Sequence, residues 1–221
     1  MTAGPDARTI KADLIRTYDA SATARDERGE PEWRDDHRRA FAAALTDEGK
    51  TRILEIGAGA GHSSAYFASQ GFTVVATDLS PGNIERCAAK GLEASVADFT
   101  ALDFADGSFD AIWAMSCLMH ATDEDLTVAI DEMARVLAPG GLVIAGMWGG
   151  DGTAEVLVDD VIEPPRFFAW RTDDHIRAAF STAFIVEAFK IIDGPPDDPR
   201  DEHYQLCLLY TSDAADDSVY V

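Results

Sequence analysis

The chain has 221 residues, with 40 Asp and Glu against 18 Lys and Arg, a formal net charge of −22 and 47% hydrophobic residues. So acidic a surface repels phosphate backbones and anionic lipid, because binding to either is driven by basic residues that displace counterions. Nucleic acid and membrane are therefore not expected as partners, and the length predicts one domain with a sizeable core. No run approaches the roughly 18 apolar residues of a membrane span, and the first residues, Met1 to Asp6, lack a signal-peptide core. Cys87, Cys117 and Cys207 are scattered, with neither disulfide nor metal-ligand spacing. No metal is expected, and a reducing cytoplasm is the expected compartment.

In chain order, Ile10, Leu14, Ile15 and Tyr18 fall at helical spacing over 9–19. The segment 20–32 is charged and flexible in composition, and Trp33–Leu45 reads as a second helix ending near Gly49. From there strands and helices alternate. The strands are placed at Arg52–Ile56, Phe72–Thr77, Leu92–Val96, Phe109–Met115 and Leu142–Met147. Gly71 stops the first intervening helix. Ser80-Pro81 supplies a cap and a first-turn proline for the next, and Thr122-Asp-Glu-Asp125 a capping box for the third. Pro139-Gly140-Gly141 reads as a turn, and 148–171 as an irregular insert. Thr172 caps a further helix, and Phe184–Ile192 with the stretch from His203 reads as a hairpin-like pair. This alternation predicts a doubly wound, mostly parallel α/β sheet beneath an N-terminal helical cover. The expected divisions are a cover at 1–50, the sheet domain at 51–206 with the insert 148–171, and a tail at 207–221. Cys207-Leu-Leu-Tyr-Thr-Ser-Asp-Ala-Ala-Asp216 resembles a translated sequencing adaptor. The tail is expected to be read-through whose first part completes the last strand, with a genuine acidic C-terminus as the alternative.

Strand, Gly57-Ala-Gly59-Ala-Gly61 and helix form a geometry that brings backbone N–H groups close to a nucleotide. A dinucleotide fingerprint would require glycine at 62, where His62 stands, and an acid precedes the loop instead: Glu55-Ile-Gly57-Ala-Gly59-Ala-Gly61. Asp78, at the end of the next strand, can accept from ribose hydroxyls, and capping the following helix is its alternative role.

At these residues the chain resembles the class I S-adenosylmethionine (SAM)-dependent methyltransferases, whose first motif is E/D-x-G-x-G-x-G. Ala97-Asp98-Phe99, Ser108-Phe-Asp-Ala-Ile-Trp113 and Arg135-Val-Leu-Ala-Pro-Gly-Gly141 extend the likeness over about 54–147. The resemblance implies a seven-stranded Rossmann-like sheet, SAM as cofactor, and transfer of its methyl to O, N or S of a small molecule. The implied SAM contacts are Tyr18, Glu55, Gly57, Ala58, Gly59, Gly61, Asp78, Leu79, Asp98, Phe99, Ser116 and Cys117, with Asp98 on the adenine amino group. His120, after the fourth strand, is the candidate base, with packing against the cofactor as its alternative role. Trp33, Trp148, Arg166 and Phe167 are candidate acceptor-wall residues, and a satellite core is the alternative for the aromatic insert. A monomer or homodimer is expected. The other functional readings are an NAD-dependent oxidoreductase and a SAM-binding regulator without transfer activity.

Overall fold

A computed structural model describes residues 6–157, 160, 162–194 and 201–212 of the chain. The far end of the tail, 213–221, lies outside the described residues, as do insert positions 158, 159 and 161. Two helices, α1 (Ala7–Arg28) and α2 (Trp33–Asp47), precede the sheet. Then come β1 (Arg52–Ile56), α3 (His62–Ser69), β2 (Thr73–Asp78), α4 (Pro81–Ala89), β3 (Glu93–Val96) and β4 (Phe109–Met115). After a 3-10 turn at Leu118–His120 follow α5 (Asp123–Val136), β5 (Leu137–Gly149), β6 (Ala154–Val156) and β7 (Phe167–Ala169). The elements end with α6 (Asp173–Phe180), β8 (Ile185–Asp193) and β9 (His203–Tyr210).

The seven-stranded sheet has the order β3-β2-β1-β4-β5-β9-β8, with β1 to β5 parallel and β9 antiparallel to both neighbours. The order reverses between β1 and β4, where a doubly wound sheet opens a crevice at its carboxyl edge. Alternation along β4 explains the two-sided core. Ala111, Trp113 and Met115 pack with Phe41 of α2 and Phe67 of α3, whereas Ile112 and Ala114 face α5 and α6. Phe41, Phe67 and Trp113 meet with ring centroids 5.0–5.9 Å apart. Each such pair adds about 0.5–1.5 kcal/mol beyond area burial.

Caps explain the helix starts. Asp6 accepts from Thr9 N at 2.9 Å, Ser80 from Asn83 N at 3.2 Å and Thr122 from Asp125 N at 3.1 Å. Three sequence expectations change. Residues 20–28 continue α1 instead of forming a flexible link. Their apolar contact is made by a small residue: Ala22 Cβ lies 3.4 Å from where a Cβ on Gly82 would sit, so no large apolar periodicity marks the face. Pro139-Gly140-Gly141 forms a bulge inside β5, with the register shifting between Phe109 and Ala111 and Gly140 at φ +67°. The insert, read as irregular, contains the antiparallel pair β6 and β7. β9 runs through Cys207 to Tyr210, with Cys207 and Leu209 buried, so the beginning of the adaptor-like stretch is part of the core. Among the described residues no helix is long and apolar enough to cross a membrane.

Candidate active site

The carboxyl ends of β1, β2 and β4 and the inner face of α1 enclose one cavity. The glycines after β1 do different work there. Gly57, at φ +69°, has no room for a side chain, because a Cβ would lie 2.4 Å from Cys117 Cβ. Gly59, at φ +55°, has nothing within 4 Å of that position and lines the cavity, so its open side is available to a ligand. Gly61 packs against Cys87 and Leu92, away from the cavity.

Asp78 is buried and couples this loop to the next helix. Its Oδ2 accepts from Gly59 N at 2.8 Å, and its Oδ1 from Ser80 N at 2.9 Å and Asn83 Nδ2 at 3.2 Å. Burial raises the pKa of the Asp78 carboxyl, and those three donors oppose the shift. Oδ1 thus has both lone pairs engaged, and Oδ2 keeps one. Beside it Asn83 lines the cavity with a buried Oδ1 that has no hydrogen-bond partner among the described residues. An orphaned buried acceptor is costly unless a ligand donor meets it.

Asp98 pairs with Lys11 of α1 at 2.9 Å and accepts from Thr100 N at 2.9 Å. Lys11 also reaches Asp125 at 3.3 Å. Farther along α1, Asp19 accepts from Gly82 N at 2.9 Å and Asp26 pairs with Lys90 at 2.6 Å. Ties at three levels therefore hold α1 down as a roof over the cavity.

His120 is buried, with both ring nitrogens engaged. Nδ1 lies 2.7 Å from the Phe167 carbonyl oxygen and Nε2 lies 2.7 Å from the Tyr18 hydroxyl. A carbonyl only accepts, so Nδ1 carries the proton and Nε2 accepts from Tyr18. Burial, opposed by the Phe167 bond and reinforced by Arg166 and Arg25, lowers the imidazole pKa to about 4. The Tyr18 hydroxyl also accepts from Arg166 Nη1 at 3.2 Å, and Arg166 forks onto Asp160 at 2.7 and 2.9 Å.

Glu55 lies under the loop, outside the cavity lining, where Ser64 donates to it. Burial pushes its carboxyl up to about 7, opposed by the Ser64 bond and then by the Arg34 and Arg38 charges. Arg34 lines the cavity, pairs with Glu30 and donates from Nη2 to Ser116 Oγ at 3.0 Å. Ser116 adopts φ +59°, costly for a non-glycine residue, and Tyr204 holds its hydroxyl at 2.9 Å. Cys117 is buried against the Ile56 carbonyl, and burial raises its thiol to about 12, which leaves it unreactive.

Of the residues singled out from sequence, Tyr18, Gly57, Ala58, Gly59, Asp78, Leu79, Asp98, Phe99, Ser116, Cys117 and His120 line this cavity. Glu55 and Gly61 do not, and neither do Trp33, Trp148, Arg166 and Phe167. Trp33 and Trp148 pack on Tyr204, with ring centroids 5.0 and 5.2 Å away. Phe167 joins Ile10 and Leu14 in a small core, and only its carbonyl faces the site, through His120. Sequence reading missed Lys11, Arg25, Glu30, Arg34 and Asn83, which all line the cavity. Four of them are charged residues on α1 or near the start of α2, where alternation of charge reads as solvated surface. Asn83, three residues after the Ser80 cap, was the one with a local signal.

Residues 54–145 match a family described as "Methyltransferase domain". The chain is 36% identical over 121 residues to "Methyltransferase GfsG" of Streptomyces halstedii, a match covering 51% of this chain and 43% of that protein. The chain spans about half the length, or less, of the curated relatives it matches. Among solved structures it is similar to the Burkholderia thailandensis 1,6-didemethyltoxoflavin-N1-methyltransferase, at TM-score 0.69 and 21% identity, covering 96% of this chain and 94% of that one. It is also similar to the [4+2]-cyclase SpnF, at TM-score 0.71 and 15% identity, covering 95% and 97%. Identities this low show the fold alone, which is the Rossmann-like methyltransferase fold.

Proposed function

We propose that this chain, whose residues 54–145 match a methyltransferase-domain family, is a class I SAM-dependent methyltransferase that binds SAM beneath α1 and methylates a small molecule in the cytoplasm. The observation that carries this reading is the cavity floor, where Gly59 is open, Asp78 keeps one carboxylate lone pair, and Asn83 Oδ1 is an orphaned acceptor. Two adjacent acceptors suit the two hydroxyls of a ribose. Asp98 would accept from the adenine amino group beside Phe99, and the Gly57–Gly59 backbone with Ser116 and Cys117 would bound the methionine part. Glu55, outside the lining, would act at a distance, its ionised form favouring the cationic groups.

When bound, SAM supplies a methyl already activated by its sulfonium. This chain's own work is to align the acceptor, exclude water and take a proton where the acceptor carries one. The α1 roof, tied down through Lys11, Asp19 and Asp26, would cover the bound cofactor. His120 is neutral near pH 7, with its free-base nitrogen turned to the Tyr18 hydroxyl. An acceptor proton would therefore pass to the oxygen of Tyr18, which lines the cavity, as the Tyr18 proton moves to His120 Nε2, leaving the phenol neutral and the positive charge on the imidazole. His120→Ala should then lower turnover by about two to four orders of magnitude with SAM affinity nearly intact. The three cysteines are buried free thiols, in keeping with a reducing compartment.

Calorimetric titration with SAM, S-adenosylhomocysteine and NAD(H), followed by incubation of metabolite extracts with radiolabelled SAM, tests the reading. Binding of NAD(H) without SAM would refute it. A second reading, a SAM-binding protein without transfer activity, has one support: the lone pair of the candidate base is already engaged by Tyr18. Normal SAM binding with no labelled product would favour that reading.

A further inference from the structure

Arg25 carries a guanidinium that no described residue meets with an anion. It sits in the last turns of α1, is half-buried and lines the cavity. Among the described residues it makes no hydrogen bond or ion pair, and its one contact of note is with the face of the Tyr18 ring, 5.0 Å from the centroid. Of the other cations around the cavity, Arg28 is exposed, and the less exposed ones are matched. Lys11 has Asp98 and Asp125, Arg34 has Glu30, and Arg166 has Asp160. In a chain carrying 40 acids and 18 bases, a partner would be easy to supply. A helix C-terminus favours basic residues, which accounts for exposed Arg28, but that term needs no inward side chain.

The neighbours make the arrangement costlier. Burial lowers the pKa of Arg25, and the charges of Arg166 and Arg28 add to that, while the Tyr18 hydroxyl and the Asp78 carboxylate oppose it. A half-buried cation beside two others is stable only at a penalty that an incoming anion removes. A planar fork of donors over an aromatic ring is preorganised for a carboxylate.

We propose that Arg25 is an anion-recognition residue of this cavity and receives a carboxylate of the bound ligand. The inference rests on the SAM reading above for what else the cavity holds. The carboxylate has two possible sources with the same chemistry: the amino-acid end of SAM, or an anionic acceptor lying beside it.

Titration calorimetry on the full chain separates them, comparing wild type with Arg25→Gln and Arg25→Lys. The ligands are SAM, decarboxylated SAM and, on protein saturated with S-adenosylhomocysteine, benzoate and its uncharged amide benzamide. Weakening of SAM by roughly 10- to 100-fold in Arg25→Gln, with decarboxylated SAM unaffected, assigns the donor's carboxylate. Unchanged SAM affinity, with benzoate binding lost in Arg25→Gln and benzamide not bound by wild type, assigns an anionic acceptor. Arg25→Lys should recover part of either loss, since it restores charge without the fork. No effect of Arg25→Gln on either ligand overturns the proposal. Thermal unfolding of the ligand-free protein adds a readout independent of binding. An unpaired cation predicts that Arg25→Gln unfolds at the wild-type temperature or above it, and a midpoint several degrees lower would make Arg25 structural and overturn the proposal. If wild type binds no SAM, the donor reading falls, and benzoate titrated into the free protein still decides the case of Arg25.

Discussion

Substituting alanine at Gly57 and at Gly59 separates two costs that the glycine loop combines. Both residues have left-handed φ, +69° and +55°, so either alanine carries the strain of that conformation, about 1–2 kcal/mol. Only Gly57 is crowded. Its new Cβ would lie 2.4 Å from Cys117 Cβ and 3.1 Å from Cys117 Sγ, whereas nothing lies within 4 Å at Gly59. The first of these atoms belongs to the rigid root of a buried side chain at the end of β4, so β1 and β4 must separate. Overpacking of that kind adds about 1–3 kcal/mol. Gly57→Ala should therefore cost about 2–5 kcal/mol and Gly59→Ala about 1–2, read as urea midpoints of the ligand-free protein at equal m-value. Cys117→Gly, which removes the opposing Cβ, should recover the difference in the Gly57→Ala background, although Cys117→Ala should not. For SAM affinity the order reverses relative to stability, since Gly59 is the residue whose open side faces the cavity. Equal destabilisation by the two alanines, or no rescue by Cys117→Gly, would refute the division of roles.

Asp78→Asn should lower SAM affinity by about 10- to 100-fold in calorimetry, and it should also destabilise the free protein by about 1–3 kcal/mol, because an amide nitrogen would face Gly59 N–H or Ser80 N–H. The Glu55 carboxyl, raised by burial from 4.5 to about 7, opposes folding increasingly as pH rises from 4.5 to 7. Glu55→Gln should therefore be the more stable protein above pH 7, by on the order of 3 kcal/mol, with the gap closing towards pH 4.5. SAM affinity of the wild type should rise between pH 6 and 8 as Glu55 ionises; a flat affinity profile would detach Glu55 from the cofactor. His120, lowered from 6.5 to about 4, makes a contribution present above pH 6.5 and lost as pH falls towards 4, where the unfolded chain binds the extra proton. His120→Gln should flatten that acid limb of the stability profile, measured by unfolding at pH 4 to 7.

How far the sequence reached depended on the range of the interactions involved. β1 and β4 lie where apolar runs bounded by turn residues place them, and α4 and α5 start at Ser80 and Thr122, whose hydroxyls accept from the N–H three residues on. Such signals act within a few residues, so they are written in order along the chain. The glycine spacing with Glu55, Asp78 and Asp98 is of the same kind, since each acid lies in or just after its own strand, and Asp78 and Asp98 do line the cavity. The candidate acceptor-wall residues do not line the cavity. Trp148 and Trp33 belong to the packing around Tyr204, because aromatic content alone does not tell which side of a strand or helix a ring faces.

By itself, then, the sequence determined the alternating α/β order, the nucleotide-type loop and the acids at the strand ends, all properties of local periodicity and capping. Only the tertiary structure decided that α1 continues through residues 20–28 and roofs the cavity, because that helix is held by Ala22 against Gly82 and by ion pairs to Lys90 and Asp98, partners remote in the chain. It likewise decided the state of His120. The carbonyl of Phe167 and the hydroxyl of Tyr18 come from segments far apart in sequence, and their joint approach fixes the tautomer and removes the water that would let the ring ionise. Electrostatics of a buried group depends on everything packed around it, and packing is what a linear reading leaves out.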